Sequence, residues 1–100
     1  MEIFKQLNKK GYKHYYEGTV EELDSMDKDN QHLYSEIMQV IMWLYEKHGV
    51  WIWVERYSTL FRPYAEEIED ERFGKWKGHK CNSPTKAYEV AIEYTLNNLI

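Results

Sequence analysis

Between Asp29 and Tyr57 an apolar pattern with helical spacing stops at Lys47-His48-Gly49, and Val50-Trp51-Ile52-Trp53-Val54 follows at once with the period of a strand. No linker separates the two, so the helix fixes where the strand starts and must pack against it. Ile37, Ile41, Leu44 and His48 fall at i, i+4, i+7 and i+11, flanked by Tyr34, Met38 and Tyr45, which is one face of an amphipathic helix. Asp27 or Asp29 is expected to cap its start. Lys47 and His48 in the last turn suit the helix dipole, and Gly49 supplies a left-handed C′ residue. Val40 and Trp43 lie off the stripe, which predicts a helix covered on two sides, by the N-terminal segment or by another copy of the chain.

Alternation along the strand sends Val50, Ile52 and Val54 to one face and Trp51, Trp53 and Glu55 to the other. Ser58-Thr59 make a turn into an antiparallel second strand, Leu60 to Ile68, in which Pro63 implies an edge position or a bulge. A third strand is expected within Gly74 to Cys81. The closing helix runs from Ser83 to Ile100, with Ser83 as N-cap, Pro84 at N1, and Ala87, Tyr88, Ala91, Ile92, Thr95 and Leu99 as its apolar stripe. Residues 1–30 are the least legible. Ile3, Phe4 and Leu7 have helical spacing before Gly11, Thr19 and Glu22 have the form of a capping box, and Tyr12 to Tyr16 is a short strand or an aromatic loop. The class is therefore α+β: helix, two- or three-stranded antiparallel sheet, and a C-terminal helix packed on one sheet face. Residues 1–100 form a single domain, with an αββ(β)α core in 31–100 and an extra N-terminal segment.

One hundred residues support one modest core, and sixteen aromatics exceed what it needs. A formal charge of −4 argues against general affinity for phosphate backbones. Cys81 stands alone, which excludes an internal disulfide and fits a reducing compartment. The start of the chain lacks the charge and apolar pattern of a secretory signal, and the apolar run Val40 to Tyr45 is far short of the ~20 residues that span a bilayer. A cytoplasmic protein without membrane contact is expected.

Few residues carry the pattern of a chemistry. His79 and Cys81 are potential metal ligands, but no further ligand has motif spacing to them, so no metal, cofactor or catalytic residue is assigned. Glu66, Glu67, Glu69, Asp70 and Glu71 read as a solvated charge run protecting a sheet edge. Lys75, Lys77, Lys80 and Lys86 form a basic run before the last helix and are the candidate nucleic-acid contacts. Trp51, Trp53 and Tyr57, at period two on one strand face, are with Trp43 the candidate interface. They can stack bases, hold an apolar ligand or meet a partner, unless Phe4, Tyr12, Tyr15 and Tyr16 fold over that face and close a second core.

The order helix, three strands, helix resembles the double-stranded RNA-binding domain, and the Ser83 to Leu99 helix has similar Ser, Ala and Leu spacing. That resemblance implies phosphate contacts at the start of the last helix, where this chain offers Lys86 beside Pro84 and Thr85. The turn Ser58-Thr59 also departs from the family's Gly-Pro-His type of loop. Trp43 to Gly49 and the Ser-Pro-x-x-Ala-Tyr-Glu pattern at Ser83 to Glu89 are similar to small uncharacterised proteins of bacterial and prophage genomes, which implies a fold and no activity. The expected function is that of a small non-enzymatic protein-interaction module, binding a protein partner or itself as a homodimer. The alternative is binding of double-stranded RNA or a single strand through the basic run.

Overall fold

A computed structural model describes residues 2–69 and 74–100. The elements are α1 (Ile3–Lys9), α2 (Val20–Ser25), α3 (Gln31–His48), β1 (Val50–Tyr57), β2 (Leu60–Glu67), β3 (Lys75–Lys77) and α4 (Pro84–Asn98). The antiparallel sheet has the order β1-β2-β3. Helix α3 packs on β1, and α4 packs on β1 and β2. The helices share one side of the sheet, giving a slab of 39 × 34 × 18 Å.

Local chemistry accounts for the element ends. Asn30, rather than Asp27 or Asp29, caps α3 by accepting the His32 N–H. The Asp27 carboxylate instead takes the N–H of Asp29 in the preceding turn. Ser83 caps α4 through the Lys86 N–H, with Pro84 in its first turn. Thr19 and Glu22 close a capping box on α2. Helix α1 has no cap of its own, and Asp24 of α2 takes the N–H groups of Phe4 and Lys5 at 2.9 and 3.3 Å. At the other end of α3, Gly49 adopts φ 66°, donates to the Leu44 and Tyr45 carbonyls, and accepts from Ile68 at 2.9 Å. Chain reversal and sheet pairing thus meet at one residue.

The core is built on the predicted stripes. Leu33, Ile37, Val40, Ile41 and Leu44 of α3 meet Val50 and Ile52 of β1, Ala65 of β2, and Ala91, Ile92 and Leu96 of α4. Thr95 is fully buried and spends its hydroxyl on the Ala91 carbonyl, a bond open to a helical Thr. Ile3, Phe4 and Leu7 enter the same core from α1, which packs on α2 and α4.

Pro63 is not on an edge strand, because β2 is the centre of the sheet. The alternation of hydrogen bonds resolves the conflict. Phe61 exchanges bonds with Cys81, so the odd residues of β2 point their backbone away from β1, and Pro63 spares β1 a lost donor. On the far side the register slips: Tyr64 pairs with Lys77 but Phe61 pairs with Cys81, so the segment opposite Arg62 and Pro63 has one residue more. Pro63 still accepts the Gly78 N–H at 2.9 Å, so the extra residue falls opposite Arg62, next to the place where the missing N–H would have donated. A Cβ on Gly78 would lie 2.6 Å from the Trp76 ring and 2.8 Å from Pro63, so the bulge needs glycine there.

The N-terminal segment does not cover Trp51 and Trp53. Residues 12–16 form a loop on α3, tied to Glu36, a buried carboxylate that accepts the Tyr12 hydroxyl and the N–H groups of Tyr15 and Tyr16 at 3.0 and 2.7 Å. This loop is the second cover of α3. A buried carboxylate is tolerated when it is saturated with donors. Glu89 is the other buried acid, held by Lys28 at 2.6 Å between α4 and the loop before α3.

Two outcomes follow from these joints. No atom lies within 4 Å of a Cβ built on Gly49, so Gly49→Ala should cost only the left-handed backbone penalty, about 1–2 kcal/mol in urea unfolding, with an unchanged slope. Burial, reinforced by Glu36, holds the Tyr12 hydroxyl above the ordinary phenol range. A folded-state value raised above an unfolded value near 10 means a contribution complete below about pH 10 and eroded as the pH climbs toward the folded value. Tyr12→Phe should therefore flatten the alkaline limb of a stability profile, and an unchanged limb would refute the assignment.

Candidate functional site

The outer face of the sheet carries no helix among the described residues, and register dictates its contents. Trp51 lies opposite Glu66, Trp53 opposite Tyr64, and Glu55 opposite Arg62, while Lys75 and Lys77 of β3 lie opposite Glu66 and Tyr64. Two groups that are far apart in sequence, the aromatic run of β1 and part of the basic run, thus share one surface. Trp53 and Tyr64 stack at 5.0 Å with planes 5° apart. The Lys75 ammonium stands 5.5 Å from the Tyr64 ring and 6.0 Å from Trp53, and Lys80 stands 4.7 Å from the Tyr57 ring. These are cation–π distances.

The polar groups of this face are knotted together. The hydroxyls of Tyr57 and Tyr64 both donate to one oxygen of Glu55, at 2.8 and 3.0 Å, and lie 3.0 Å from each other. Those donors hold the Glu55 carboxyl below its ordinary range. The Tyr57 hydroxyl, burial and the Glu55 carboxylate push the Tyr64 hydroxyl well above the phenol range. Arg62 lies over the Tyr57 ring at 5.6 Å, and its Nε has no partner among the described residues. The face is an array of rings edged by cations, with Tyr64 at its centre only 4% exposed beneath them.

A second feature lies at the corner where α3 turns into β1. Met42, Tyr45, Trp51 and Ile68 are 39–48% exposed. Together with Glu66 they line an open depression of about 470 Å³, and Tyr45 meets the Trp51 ring edge-on at 5.4 Å. Exposed apolar side chains are ordinary when scattered, whereas a contiguous group marks a contact surface. Sequence reasoning missed Met42, Tyr45 and Ile68 as members of this group. Met42 and Tyr45 precede the helix-to-strand joint and Ile68 follows β2, so nothing in the sequence joins them until β2 returns beside β1.

The predicted residues divide. Trp51, Trp53 and Tyr57 share the outer face, but Trp43 lies elsewhere on α3, edge-on to Tyr12 at 5.4 Å and to His48 at 4.8 Å. Lys75, Lys77 and Lys80 gather on or beside the outer face, whereas Lys86 sits in the first turn of α4, with its charge felt by Cys81. Trp76 of the basic run points inward and stacks on Tyr94 at 4.3 Å. Burial pushes the Cys81 thiol up, the reverse of what an activated nucleophile requires. Among the described residues no group of three His, Cys, Asp or Glu side chains is placed to hold a metal ion, and no helix is long and apolar enough to cross a membrane. Glu66, Glu67 and Glu69 of the acidic run are described, while Asp70 and Glu71 lie outside the described residues, as does Phe73.

Comparison with protein-family models, with curated proteins and with solved structures returned no match. The geometry therefore stands on its own.

Proposed function

We propose that this chain is a small, non-enzymatic protein-interaction module, working in a reducing compartment such as the cytoplasm, whose contact surface is the corner formed by Met42, Tyr45, Trp51 and Ile68 together with strand β1. The observation that carries this reading is that four exposed apolar side chains from α3, β1 and the end of β2 gather in one open depression. A contiguous apolar depression on an otherwise polar surface is the kind of site that takes the aromatic or aliphatic anchor of a partner chain. The resemblance of Trp43–Gly49 and Ser83–Glu89 to small bacterial and prophage proteins found no match in the comparisons and adds nothing to this reading.

A direct test is selection of random peptides of about 12 residues on the purified protein. Enriched sequences should share an aromatic or aliphatic anchor residue. They should lose at least about tenfold in affinity, or roughly 1.4 kcal/mol, for a Trp51→Ser/Ile68→Ser variant with unchanged circular dichroism. Failure to enrich any peptide, or equal binding to the variant, would sink the reading.

A second reading, nucleic-acid binding, is favoured by one observation: Lys75 and Lys80 stand over rings of the outer face, with Lys77 beside them by register. Stacking rings and flanking cations suit a single strand better than a duplex, since Lys86, the residue that the RNA-binding-domain resemblance singles out, lies off this face. Titration with single-stranded oligonucleotides at low salt should then quench Trp51 and Trp53 emission, with the effect lost in Lys75→Glu/Lys77→Glu and weakened steeply by salt. Emission unchanged at saturating oligonucleotide would remove this reading.

A further inference from the structure

Phe61 pairs with Cys81, so Lys80 comes beside Arg62 on the outer face, at the end of the sheet away from the acidic run. Both side chains lean on one ring: the Lys80 ammonium stands 4.7 Å from the Tyr57 centroid and the Arg62 guanidinium 5.6 Å. Like charges side by side across strands are destabilising. No neighbouring acid offsets that cost. Glu55 lies opposite Arg62 in the register, but its carboxylate takes the Tyr57 and Tyr64 hydroxyls at 2.8 and 3.0 Å. Neither cation forms an ion pair among the described residues, and the buried Arg62 Nε has no acceptor among them. Glu66, where the acidic run starts, lies further along β2 by about 13 Å, at ~3.3 Å per residue.

We infer that Arg62 and Lys80 bind a phosphomonoester, carried by a phosphorylated segment of the partner protein. This rests on the interaction-module reading and adds a second requirement to what that module takes. Charge and shape set the ligand class. A phosphomonoester brings nearly two negative charges and three acceptor oxygens, whereas a carboxylate brings one charge and two oxygens. The guanidinium fork binds two of those oxygens in a plane, and the ammonium meets the third as a point charge. The Tyr57 ring beneath both side chains fixes their direction, so less freedom is lost when the anion arrives.

The rest of the chain sets the source of the phosphate. A formal charge of −4 opposes a polyanion, but it leaves a single phosphate to be held by a local pair of cations. The nearby rings are also engaged, since Trp53 stacks on Tyr64 and Lys75 stands over both. Little ring face is left there for bases. The apolar corner lies along the same strand, where Trp51 precedes Glu55, the residue opposite Arg62. An extended segment therefore reaches both places when its phosphoresidue lies about four residues from its apolar anchor.

Selection on the full chain from two pools of random peptides about 12 residues long, one with a fixed central phosphoserine and one with serine there, tests the inference. The phosphoserine pool should be retained at least about tenfold better, with apolar residues enriched about four positions from the phosphate. A retained phosphopeptide should also shift the Arg62 Nε–H in an NMR titration. The gain should vanish in Arg62→Gln and in Lys80→Gln, the second being a change at an exposed side chain that decides the question even if the first misfolds. Equal retention of the two pools would overturn the inference while leaving corner binding, read by Trp51→Ser/Ile68→Ser, as it stands. A gain that survives both substitutions would overturn it too. So would displacement of the phosphopeptide by inorganic phosphate or by a single-stranded oligonucleotide at concentrations where the peptide itself competes, because the anion would then be free phosphate or a nucleic-acid backbone.

Discussion

Gly49 is the constraint on which the architecture depends. Its left-handed conformation ends α3 and starts β1 with no intervening residue, and its carbonyl accepts the Ile68 N–H that closes the far end of β2. The helix is therefore held over the first strand, and the two-residue turn at Ser58-Thr59 brings β2 back along one side of it only. With β3 added beyond β2 and α4 laid across β1 and β2, β1 has no strand partner on its other side among the described residues.

The two faces of the sheet solve different problems. Inward, Val50, Ile52 and Ala65 meet the helices in a core with small residues, Ala87 and Ala91, where α4 comes close. Outward, the same strands carry rings and charges in register, and these satisfy one another: two phenols share Glu55, and lysines cap the rings. Such a face needs no cover to be stable. This explains why the N-terminal aromatics are free to serve α3 instead, where Glu36 gathers the Tyr12 to Tyr16 loop.

Much of the fold was legible because it rests on local rules. The caps at Ser83 and Thr19, the helix stop at Gly49 and the face alternation of β1 each follow from a few adjacent residues. What was not legible depended on non-local pairing. Pro63 suggested an edge because the ladder has two sides, and sequence could not show that its nitrogen faces a bulge. Asp24 as the cap of α1 and Glu36 as the anchor of the Tyr12 loop join residues some twenty positions apart, and no periodicity announces them. The candidate site was legible in part. Its rings and lysines were visible as separate runs, and only strand register could put them on one surface while sending Trp76, Trp43 and Lys86 elsewhere.

The sequence by itself determined the α+β class, the helix–strand joint and the face each residue of β1 occupies, because each is set by backbone stereochemistry and spacing within one segment. Tertiary structure decided that β1 is an outer strand and β2 the centre, and that no helix among the described residues covers the Trp face. These depend on the order in which strands pair, and that order is fixed by long-range contacts whose energy no single segment contains.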